Sequence, residues 1–456
     1  MGLAYGESKV KFREATAAQN KILPIHRWVP WVAGFSAQFV EDVIDAYLPK
    51  QGRSRKLVLD PFAGVGTTLV EALKAGCGTV GYEINAFARL VAHAKVNCID
   101  IEPEVFQTHV DAFRSTMTDF EATIDRRWGE DGDAGISEVL DPLQLSAPAG
   151  FRSRIPLFSP AVEAKFLFAL QHTASLHDPS YTLFRLALGA TMITFSNYSY
   201  EPSLSSRPGA GKALIENASV ELPVCQKLEA MVEDIRGART TYGDIWPRRR
   251  QVIASSYFDS KLRPRSVSLL ITSPPYMNNY HYVRNTRPQL YWLGLVQQPE
   301  DLRKNEEESF GKFWQTVRQR DALSLDFDFA SLDTLVDRLR VLNVEKGPYG
   351  GPGWANYVVS YFNDCNRFLQ LVRHQLSPGA RAIIVVGNSI VQGIEFKVDQ
   401  LLAELAEQRG LTVEEVRIVR TKRVGNSIIN SSVRNGGDHA SKHKTQLYDA
   451  AVILRA

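Results

Sequence analysis

The feature that most constrains the fold is a short apolar run that ends in an acid and leads straight into a glycine-bearing turn. Residues 56–60 read Lys-Leu-Val-Leu-Asp, a pattern typical of a buried strand in a parallel sheet. The turn contains Gly64 and Gly66, where the backbone can approach a ligand closely because no Cβ is present. A helix is predicted to begin at Thr67, and its N-terminus offers free N–H groups to an anionic group.

This strand and helix open an alternating series. The helix is predicted to run to residue 75, and a strand over residues 79–83 then leads into a helix over residues 85–97. Because crossovers between parallel strands are right-handed, this β-α-β-α order predicts half of a doubly wound sheet. A second half begins near Ser266, and its predicted strands and helices cover residues 267–271, 357–375, 382–386, 398–409, 413–419 and 447–454.

Two insertions interrupt these halves and divide the chain into five predicted segments. The segments are residues 1–102 with the glycine loop, 103–250 as a mostly helical insertion, 251–296 with a further strand and loop, 297–354 as a second insertion, and 355–456 as the C-terminal half. Apolar spacing at Val162, Phe166 and Leu170 indicates helices in the larger insertion. The second insertion ends in a glycine- and proline-rich stretch, residues 347–353, which predicts a flexible turn region.

The composition is ordinary for a soluble globular protein, with 44% hydrophobic and 23% charged residues. At 456 residues the chain is too long for one compact core. No apolar run reaches the roughly 18 residues that span a bilayer, and the N-terminus has no signal-peptide core, so no membrane association is expected. Four scattered cysteines give neither a metal-binding pattern nor a disulfide framework, which predicts a cytoplasmic location and no metal site.

Acidic residues end the first two predicted strands. Asp60 can accept hydrogen bonds from an ammonium group or from its water shell, and Glu83 can bind both ribose hydroxyls of a nucleoside. A dinucleotide site is the rival interpretation, but its G-x-G-x-x-G loop requires a third glycine where Leu69 stands. A plain β–α turn is the remaining interpretation, and the order strand, loop, helix, strand and Glu83 favours nucleoside binding over it.

A second loop follows the apolar strand of residues 267–271 and reads Thr-Ser-Pro-Pro-Tyr over residues 272–276. Its place at the carboxyl end of a strand is where open α/β sheets bind ligands. Two prolines stiffen the loop and remove two donors, leaving a surface rich in hydrogen-bond acceptors. Such a loop suits methylation of an aromatic amine, because acceptors such as Ser273 Oγ and the Pro274 carbonyl would draw the nitrogen lone pair out of the ring. Tyr276 offers a ring face for a base taken out of the stack. A simple strand-ending turn is the alternative.

With these residues the chain resembles the S-adenosylmethionine-dependent DNA amino-methyltransferases of restriction–modification systems. The cofactor loop of that family reads D-P-F-x-G-x-G-T-T, and residues 60–68 match it throughout. Residues 81–85 are similar to the family's G-x-(D/E)-I-N segment, and residues 26–40 are similar to the motif that lines the methionine end of the cofactor. Residues 273–276 match S-P-P-Y, the signature of its cytosine-N4 enzymes, whereas D-P-P-Y is more typical of its adenine-N6 enzymes.

The resemblance implies a fold, a cofactor and a set of site residues. The fold is α/β, a Rossmann-like seven-stranded methyltransferase sheet with a largely helical insertion, and the cofactor is S-adenosyl-L-methionine. The implied catalytic residues are Ser273, Pro274, Pro275 and Tyr276. The implied cofactor-binding residues are Phe35, Ser36, Asp60, Phe62, Gly64, Gly66, Thr67, Thr68, Glu83, Asn85 and Ser256. The last of these stands where the family often has an acid that binds the adenine amino group.

Three functions remain open on the sequence alone. The favoured one is site-specific methylation of the exocyclic N4 of cytosine in double-stranded DNA, with base flipping. The same geometry would serve adenine N6 in DNA or guanine N2 in RNA. A non-catalytic nucleic-acid-binding protein on the same fold is the third, and the intact cofactor and S-P-P-Y loops argue against it. The resemblance also implies a companion restriction or defence protein, while the oligomeric state is left open.

The two insertions are predicted to read the target sequence, because no recognition module is expected after the last predicted strand. Within the larger insertion, residues 197–200 and 205–209 are polar, aromatic and glycine-bearing, as a groove-reading loop is, although an inert linker has the same composition. Basic clusters at residues 248–250, 261–265 and 417–423 are interpreted as phosphate contacts, with a solvated face as the alternative.

Overall fold

The protein is described from a computed structural model. The structure describes residues 12–15, 17–31, 34, 36–140, 142, 146–200, 203–278, 280–421 and 446–456. Phe35, which the sequence assigned to the cofactor site, lies outside the described residues, as do Lys422 and Arg423 of the third basic cluster.

Helices and strands alternate along the described chain. The α-helices are α1 Ala37–Tyr47, α2 Thr67–Lys74, α3 Ala86–Val96, α4 Pro103–Asp131, α5 Asp133–Leu140, α6 Pro160–Ala174, α7 Ser180–Thr191, α8 Glu221–Tyr242, α9 Tyr282–Trp292, α10 Pro299–Glu308, α11 Trp314–Val317, α12 Ala330–Arg340, α13 Gly351–Gln375 and α14 Val398–Gln408. The strands are β1 Leu57–Asp60, β2 Gly78–Tyr82, β3 Tyr198–Tyr200, β4 Leu204–Ser206, β5 Arg250–Ile253, β6 Val267–Thr272, β7 Leu376–Gly387, β8 Ser389–Val391, β9 Ile394–Phe396, β10 Thr412–Thr421 and β11 Tyr448–Arg455.

Seven of these strands form one sheet in the order β5-β2-β1-β6-β7-β11-β10. The pairs from β5 through β7 are parallel, and β11 runs antiparallel to both of its neighbours. The predicted fold class is therefore confirmed: this is a Rossmann-like seven-stranded methyltransferase sheet. The remaining strands form two small hairpins, β3–β4 and β8–β9.

The strand order reverses between β1 and β6. From β1 the chain builds outward through β2 and β5, and it then returns to β6 on the other side of β1. At such a switch point the loops after the two central strands turn away from each other and leave a crevice at the carboxyl edge of the sheet. Asp60 ends β1 and Thr272 ends β6, so the two loops singled out from the sequence lie on either side of this crevice.

Alternate side chains of the central strands enter two different cores, as the two-residue period of a strand requires. Val58 and Ile271 pack with α1 on one face, while Leu57, Leu59 and Leu270 pack against the apolar side of α13 on the other. Both faces of the central strands are therefore covered, which explains why these strands are mostly apolar.

The chain between α4 and β5 is largely helical, as predicted, with the hairpin β3–β4 as the exception. Helices α4, α6, α7 and α8 share one core that also includes residues of α2 and α3, so this segment packs directly against the first half of the sheet domain. Pro103 begins α4 at the first helical position, where its missing N–H has no partner to lose. Among the described residues, no helix is long and apolar enough to cross a membrane.

The turn predicted for residues 347–353 covers only the first part of that stretch, where Gly347 has a positive φ of 52° and a Cβ would meet nothing within 4 Å. Helix α13 already begins at Gly351, where a Cβ would collide with the carbonyl oxygens of Leu339 and Leu342. Glycine is required there because α13 begins in close contact with the end of α12, and composition alone does not distinguish such contact from flexibility.

Candidate active site

The loop between β1 and α2 contains two glycines that face different neighbours. Gly64 and Gly66 both have positive φ values, 51° and 84°, which glycine adopts without strain. A Cβ at Gly64 would lie 3.5 Å from Trp31 Nε1 on the cavity side of the loop, whereas a Cβ at Gly66 would lie 3.2 Å from Cα and Cβ of Ala92 in α3. Gly64 therefore leaves space at the cavity, and Gly66 lets α2 pack closely on α3.

Asp60 connects the two central strands at the crevice. Its Oδ1 accepts hydrogen bonds from Thr272 Oγ1 at 2.6 Å and from the Phe62 amide at 3.1 Å, and its side chain is buried. Burial raises the pKa of Asp60 to about 6, although the hydrogen bonds from Thr272, Thr68 and the Phe62 amide oppose that rise. The carboxyl group is thus held in one orientation, with the cavity on its open side.

Glu83 fixes the glycine loop to the end of β2. Its Oε2 accepts from the Gly64 amide at 2.8 Å and its Oε1 accepts from the Asn85 amide at 2.7 Å. Burial raises its pKa to about 7, and the same two backbone hydrogen bonds oppose that rise. Each carboxylate oxygen keeps further lone pairs, and the side chain lines the cavity, so both oxygens remain able to accept from a diol.

Asn85 joins the cofactor side of the site to the helix that follows the second loop. Its Oδ1 caps α3 by accepting from the amides of Phe87 and Ala88, each at 3.1 Å. Its Nδ2 donates to Thr286 Oγ1 in α9 at 2.8 Å. The side chain therefore uses its acceptor and one of its two N–H donors within the protein, and it acts as a structural link at the cavity wall.

The loop after β6 presents a hydroxyl pair to the cavity. Ser273 hydrogen-bonds to the phenol of Tyr276, whose ring packs against the chain at Gly387 near the end of β7, where a Cβ would lie 3.2 Å from it. Burial, followed by the nearby Asp449 carboxylate, raises the pKa of Tyr276 well above its ordinary value of 10, so the phenol stays protonated at neutral pH.

One cavity brings most of the sequence-predicted site residues together. Its walls include Asp60, Phe62, Gly64, Thr67, Glu83, Asn85, Ser256, Ser273, Pro275 and Tyr276. Four others lie outside its walls: Ser36 caps α1, Gly66 faces α3, and Thr68 and Pro274 are buried beneath the two loops. Ser256 caps the short turn over residues 257–259, with its Oγ accepting from the Phe258 amide at 3.4 Å.

Several wall residues were not predicted from the sequence. Trp31 and Gly34 come from the loop before α1, and Tyr280, His281 and Tyr282 extend the loop after β6 into α9. The first two lie inside the segment already matched to the methionine-end motif, so that match pointed to their neighbourhood. For Tyr280, His281 and Tyr282, the available signal was the cluster of aromatic residues after residue 276.

The largest group of wall residues that the sequence did not predict is the segment of residues 305–313 in the second insertion. Most residues of this segment line the cavity. Phe310 lies edge-on to Phe62 of the cofactor loop, with ring centroids 5.0 Å apart. The ring of Phe313 lies 4.1 Å from that of His281, whose Nε2 lies 3.2 Å from Glu306 Oε1. The segment therefore contacts both loops of the site and forms a wall across them.

Two of the three basic clusters are on the wrong edge of the sheet for the proposed phosphate role. Residues 248–250 precede or begin β5, and residues 261–265 precede β6, so both lie at the amino ends of parallel strands. The cavity is at the carboxyl ends. Arg250 is moreover paired with Asp100. These clusters are better explained as solvated or ion-paired surface, the alternative given for a charge run.

Comparisons with known proteins agree with this site. The DNA methylase family (N6_N4_Mtase) matches residues 15–93, the part of the chain that contains the cofactor loop and Glu83. The Type II methyltransferase M.BsoBI of Geobacillus stearothermophilus is 23% identical over 438 residues, which cover 90% of this chain and 82% of that protein. The Type II methyltransferase M.AvaI of Nostoc sp. is 23% identical over 427 residues, which cover 90% of this chain and 83% of that protein. The Type II methyltransferase M.MjaII of Methanocaldococcus jannaschii is 29% identical over 68 residues, which cover 15% of this chain and 13% of that protein. No solved structure matches significantly.

By its sheet order and its two loops at the switch point, the chain has the fold of a methyltransferase. Together with these relatives, the motifs support a place for the chain in the DNA amino-methyltransferase family of restriction–modification systems. The activity they support is that of a DNA methyltransferase acting on exocyclic amino groups, N4 or N6, with S-adenosylmethionine as the donor that such a family implies.

Proposed function

We propose that the protein transfers a methyl group from S-adenosylmethionine to the exocyclic N4 of cytosine in double-stranded DNA. The observation that carries this proposal is the shared cavity at the switch point, which has Asp60 and Glu83 on one side and Ser273 with Tyr276 on the other. A nucleoside donor and an extruded base would thus meet between two stiff loops.

The residues present fit the donor. Glu83 keeps carboxylate lone pairs for two ribose hydroxyls, and Gly64 leaves space that a Cβ directed at Trp31 would reduce. Phe62 and Phe310 supply an aromatic wall beside them for a purine ring. When bound, the donor supplies an electrophilic methyl group on a sulfonium. The protein binds and orients that group and excludes water from it.

Ser273 is proposed to act on the target amine directly. Ser273 and the Tyr276 phenol share a hydrogen bond that either hydroxyl can donate. In the proposed arrangement Ser273 donates it, and the two lone pairs of Oγ are then available as acceptors. An amino proton donated to Ser273 Oγ would draw the nitrogen toward tetrahedral geometry and free its lone pair for attack on the methyl group. The Pro274 carbonyl, which the sequence also offered as an acceptor, belongs to a residue buried outside the cavity wall. The protonated Tyr276 holds Ser273 in that orientation and provides a ring beside the base.

The choice of cytosine rests on the serine at position 273, since S-P-P-Y is the signature of cytosine-N4 enzymes in the family that the chain resembles. A neutral serine accepts more weakly than a carboxylate, but either group would serve either amine. Methylation of adenine N6 is therefore the alternative within the same mechanism. Attack on ring carbon has no support, because all four cysteines are buried and none lies in the cavity wall.

Target recognition is proposed to involve the hairpin β3–β4, which the sequence singled out as residues 197–200 and 205–209. The hairpin is docked on α9, directly after the S-P-P-Y loop. Tyr200 donates from its hydroxyl to the Asn285 carbonyl at 2.9 Å, and Asn285 Oδ1 accepts from the Leu204 amide at 2.8 Å. A DNA-reading element in this position would sense the sequence next to the extruded base. The division of the chain into five segments, with residues 103–250 as an insertion that reads the target sequence, belongs to the same proposal.

The experiment that tests the proposed product is nucleoside mass spectrometry on DNA treated with the protein and S-adenosylmethionine, with RNA treated in parallel. N4-methylcytosine in DNA is expected. N6-methyladenine would overturn only the base assignment, methylguanine in RNA would overturn the substrate, and 5-methylcytosine would overturn the mechanism. Ser273→Ala protein is the control, because its product yield should fall while the donor still binds.

A further inference from the structure

Helix α9 has a basic face that begins at the wall of the candidate active site. The helix starts at Tyr282, which lines the cavity together with His281 before it. Arg284 is exposed, and its amide donates to His281 Nδ1 at 3.2 Å. Arg287 lies three residues further along, on the same face of the helix. Two arginines therefore lie within two turns of the cavity wall.

A segment of the larger insertion is docked on the same helix and adds two more arginines. Gly150 lies directly against Tyr291, since a Cβ there would be 2.6 Å from Cε1 of that ring. The ring of Phe151 lies edge-on to that of Tyr291, with centroids 5.9 Å apart. Arg152 and Arg154 follow Phe151 directly and are exposed, so these contacts place both of them beside α9.

Arg287 lies between the docked segment and the helix. Its guanidinium is 5.5 Å from the centre of the Phe151 ring and 5.8 Å from that of the Tyr291 ring, within the range of a cation–π contact with each. Its Nε is buried and has no hydrogen-bond partner among the described residues. A guanidinium has five N–H donors, and a buried donor without an acceptor is unfavourable. The two rings therefore orient a cation for which the described protein provides no acceptor.

The four residues Arg152, Arg154, Arg284 and Arg287 are named the α9 arginine surface. No ion pair or side-chain hydrogen bond joins any of them to another residue in the part of the chain that the structure describes. Glu306 of α10 pairs instead with His281, and Asp301 accepts from two backbone amides at the start of that helix. Positive charges gathered on one surface repel one another, which favours an anionic partner.

We propose that the α9 arginine surface binds the phosphate backbone of duplex DNA on one side of the extruded base. The inference rests on the proposed function, which places that base beside Ser273. When a base leaves the stack, the backbone next to it must lie against the protein around the cavity. Guanidinium groups bind phosphate oxygens through two N–H donors at once. The α9 arginine surface begins at the cavity, whereas the basic clusters at residues 248–250 and 261–265 lie at the opposite edge of the sheet.

The docked segment also contacts the hairpin β3–β4. Asn197, directly before β3, donates from its Nδ2 to the Pro156 carbonyl at 3.4 Å, and the Tyr200 hydroxyl of the hairpin donates to the Asn285 carbonyl in α9. The α9 arginine surface and the proposed reading element are thus joined through one helix. Phosphate contacts on this surface would set the position in which the hairpin meets the bases.

The salt dependence of DNA binding tests the inference. Fluorescence anisotropy on a labelled duplex of arbitrary sequence gives the slope of log affinity against log salt concentration. Each lost phosphate contact reduces that slope by about 0.9, so Arg284→Gln should reduce it by about 0.9 and the double variant Arg152→Gln/Arg154→Gln by about 1.8. None of these three residues lines the cavity, so the affinity for S-adenosylhomocysteine should stay within about twofold.

A double variant at the opposite edge of the sheet is the matched control. Lys261→Gln/Arg263→Gln removes two exposed positive charges that precede β6, and its slope should equal that of wild type. Because all five side chains are exposed, the variants should fold normally, which urea unfolding checks. A slope for either α9 variant that is reduced no further than in the control would overturn the inference. A wild-type protein that does not bind duplex DNA would instead refute the proposed substrate, and the inference with it, so the two failures are distinguishable.

Discussion

Gly66 shows that a glycine of the cofactor motif can serve the packing of two helices rather than contact with the ligand. The sequence motif suggests that it yields space to the cofactor, but the space next to it is filled by Ala92. The glycine pattern alone does not tell which side of a loop each Cα faces, because that depends on how α2 packs against α3. Its partner Gly64 does face the cavity.

Gly66→Ala should therefore destabilise the fold more than an alanine at a comparable but open position. Gly52 provides the control, since its φ of 71° is similar to that of Gly66 and a Cβ there would meet nothing within 4 Å. Both variants pay about 1–2 kcal/mol for the left-handed backbone, and Gly66→Ala should lose about 1–3 kcal/mol more from overpacking against Ala92. Urea unfolding measures the difference, and equal losses would contradict the packing role.

Substitutions at Ser273 and Tyr276 are expected to lower turnover to different extents, because only Ser273 is proposed to contact the target amine. Ser273→Ala should lower turnover about 10²-fold, the scale for losing one positioned transition-state partner, with S-adenosylhomocysteine affinity within about twofold. Tyr276→Phe keeps the ring and removes only the hydroxyl that orients Ser273, so turnover should fall by about tenfold or less. Single-turnover kinetics separates the two. A Tyr276→Phe loss as large as that of Ser273→Ala would assign the phenol a direct role.

Glu83 should make nucleoside binding depend on pH. Its pKa lies at about 7, and the ionised carboxylate is the better acceptor for ribose hydroxyls. The affinity for 5′-methylthioadenosine, which shares the ribose and purine of the donor, should therefore rise from pH 6 to pH 8 and then level off. Glu83→Gln should abolish this rise and weaken binding by about 1–3 kcal/mol. A flat wild-type profile would move ribose binding to another group.

Among the elements, those with a strong local pattern were predictable to within a residue or two. The strand predicted at residues 267–271 is β6, Val267–Thr272, and the helix predicted at 398–409 is α14, Val398–Gln408. Strand β5, Arg250–Ile253, was missed as an element because it is a four-residue edge strand of partly exposed residues and has no apolar run. Its place beside β2 is determined by pairing distant in sequence, which local patterns do not report.

The hairpin β3–β4 is held in place by side-chain hydrogen bonds to α9. Tyr200→Phe deletes the 2.9 Å bond to the Asn285 carbonyl and the 3.3 Å bond that the same hydroxyl accepts from Gln289 Nε2. It should lower DNA affinity several-fold, consistent with about 1 kcal/mol, while donor affinity stays unchanged. Tyr198→Phe is the matched control on the same strand, because its hydroxyl makes only a 3.4 Å contact to Ile155 and lies away from α9. DNA binding by fluorescence anisotropy measures both. If neither variant differs from wild type, the hairpin does not read DNA.

The cavity as a unit could be only half predicted, because its walls come from several stretches of chain that are far apart in sequence. The loops after β1 and β6 have motifs and a common sheet edge, and they were found. The segment of residues 305–313 has no comparable motif, and its position depends on contacts such as that of the Gly311 amide with Asp364 in α13, 2.8 Å. Such contacts join residues that are distant in sequence, and local patterns do not report them.

The segment of residues 305–313 should affect the binding of the methyl donor and the binding of DNA through different side chains. Phe310 packs on Phe62 of the cofactor loop, and Phe313 packs on His281 beyond the S-P-P-Y loop. Phe313→Ala should therefore raise KM for DNA about two- to tenfold, since an aromatic contact of this kind contributes about 0.5–1.5 kcal/mol, and leave the Kd of S-adenosylhomocysteine within about twofold. Phe310→Leu, which keeps the core filled, should do the reverse. Steady-state kinetics and calorimetry on the two variants check the separation. If both variants change both constants alike, the segment acts as one rigid cover rather than as two separate contacts.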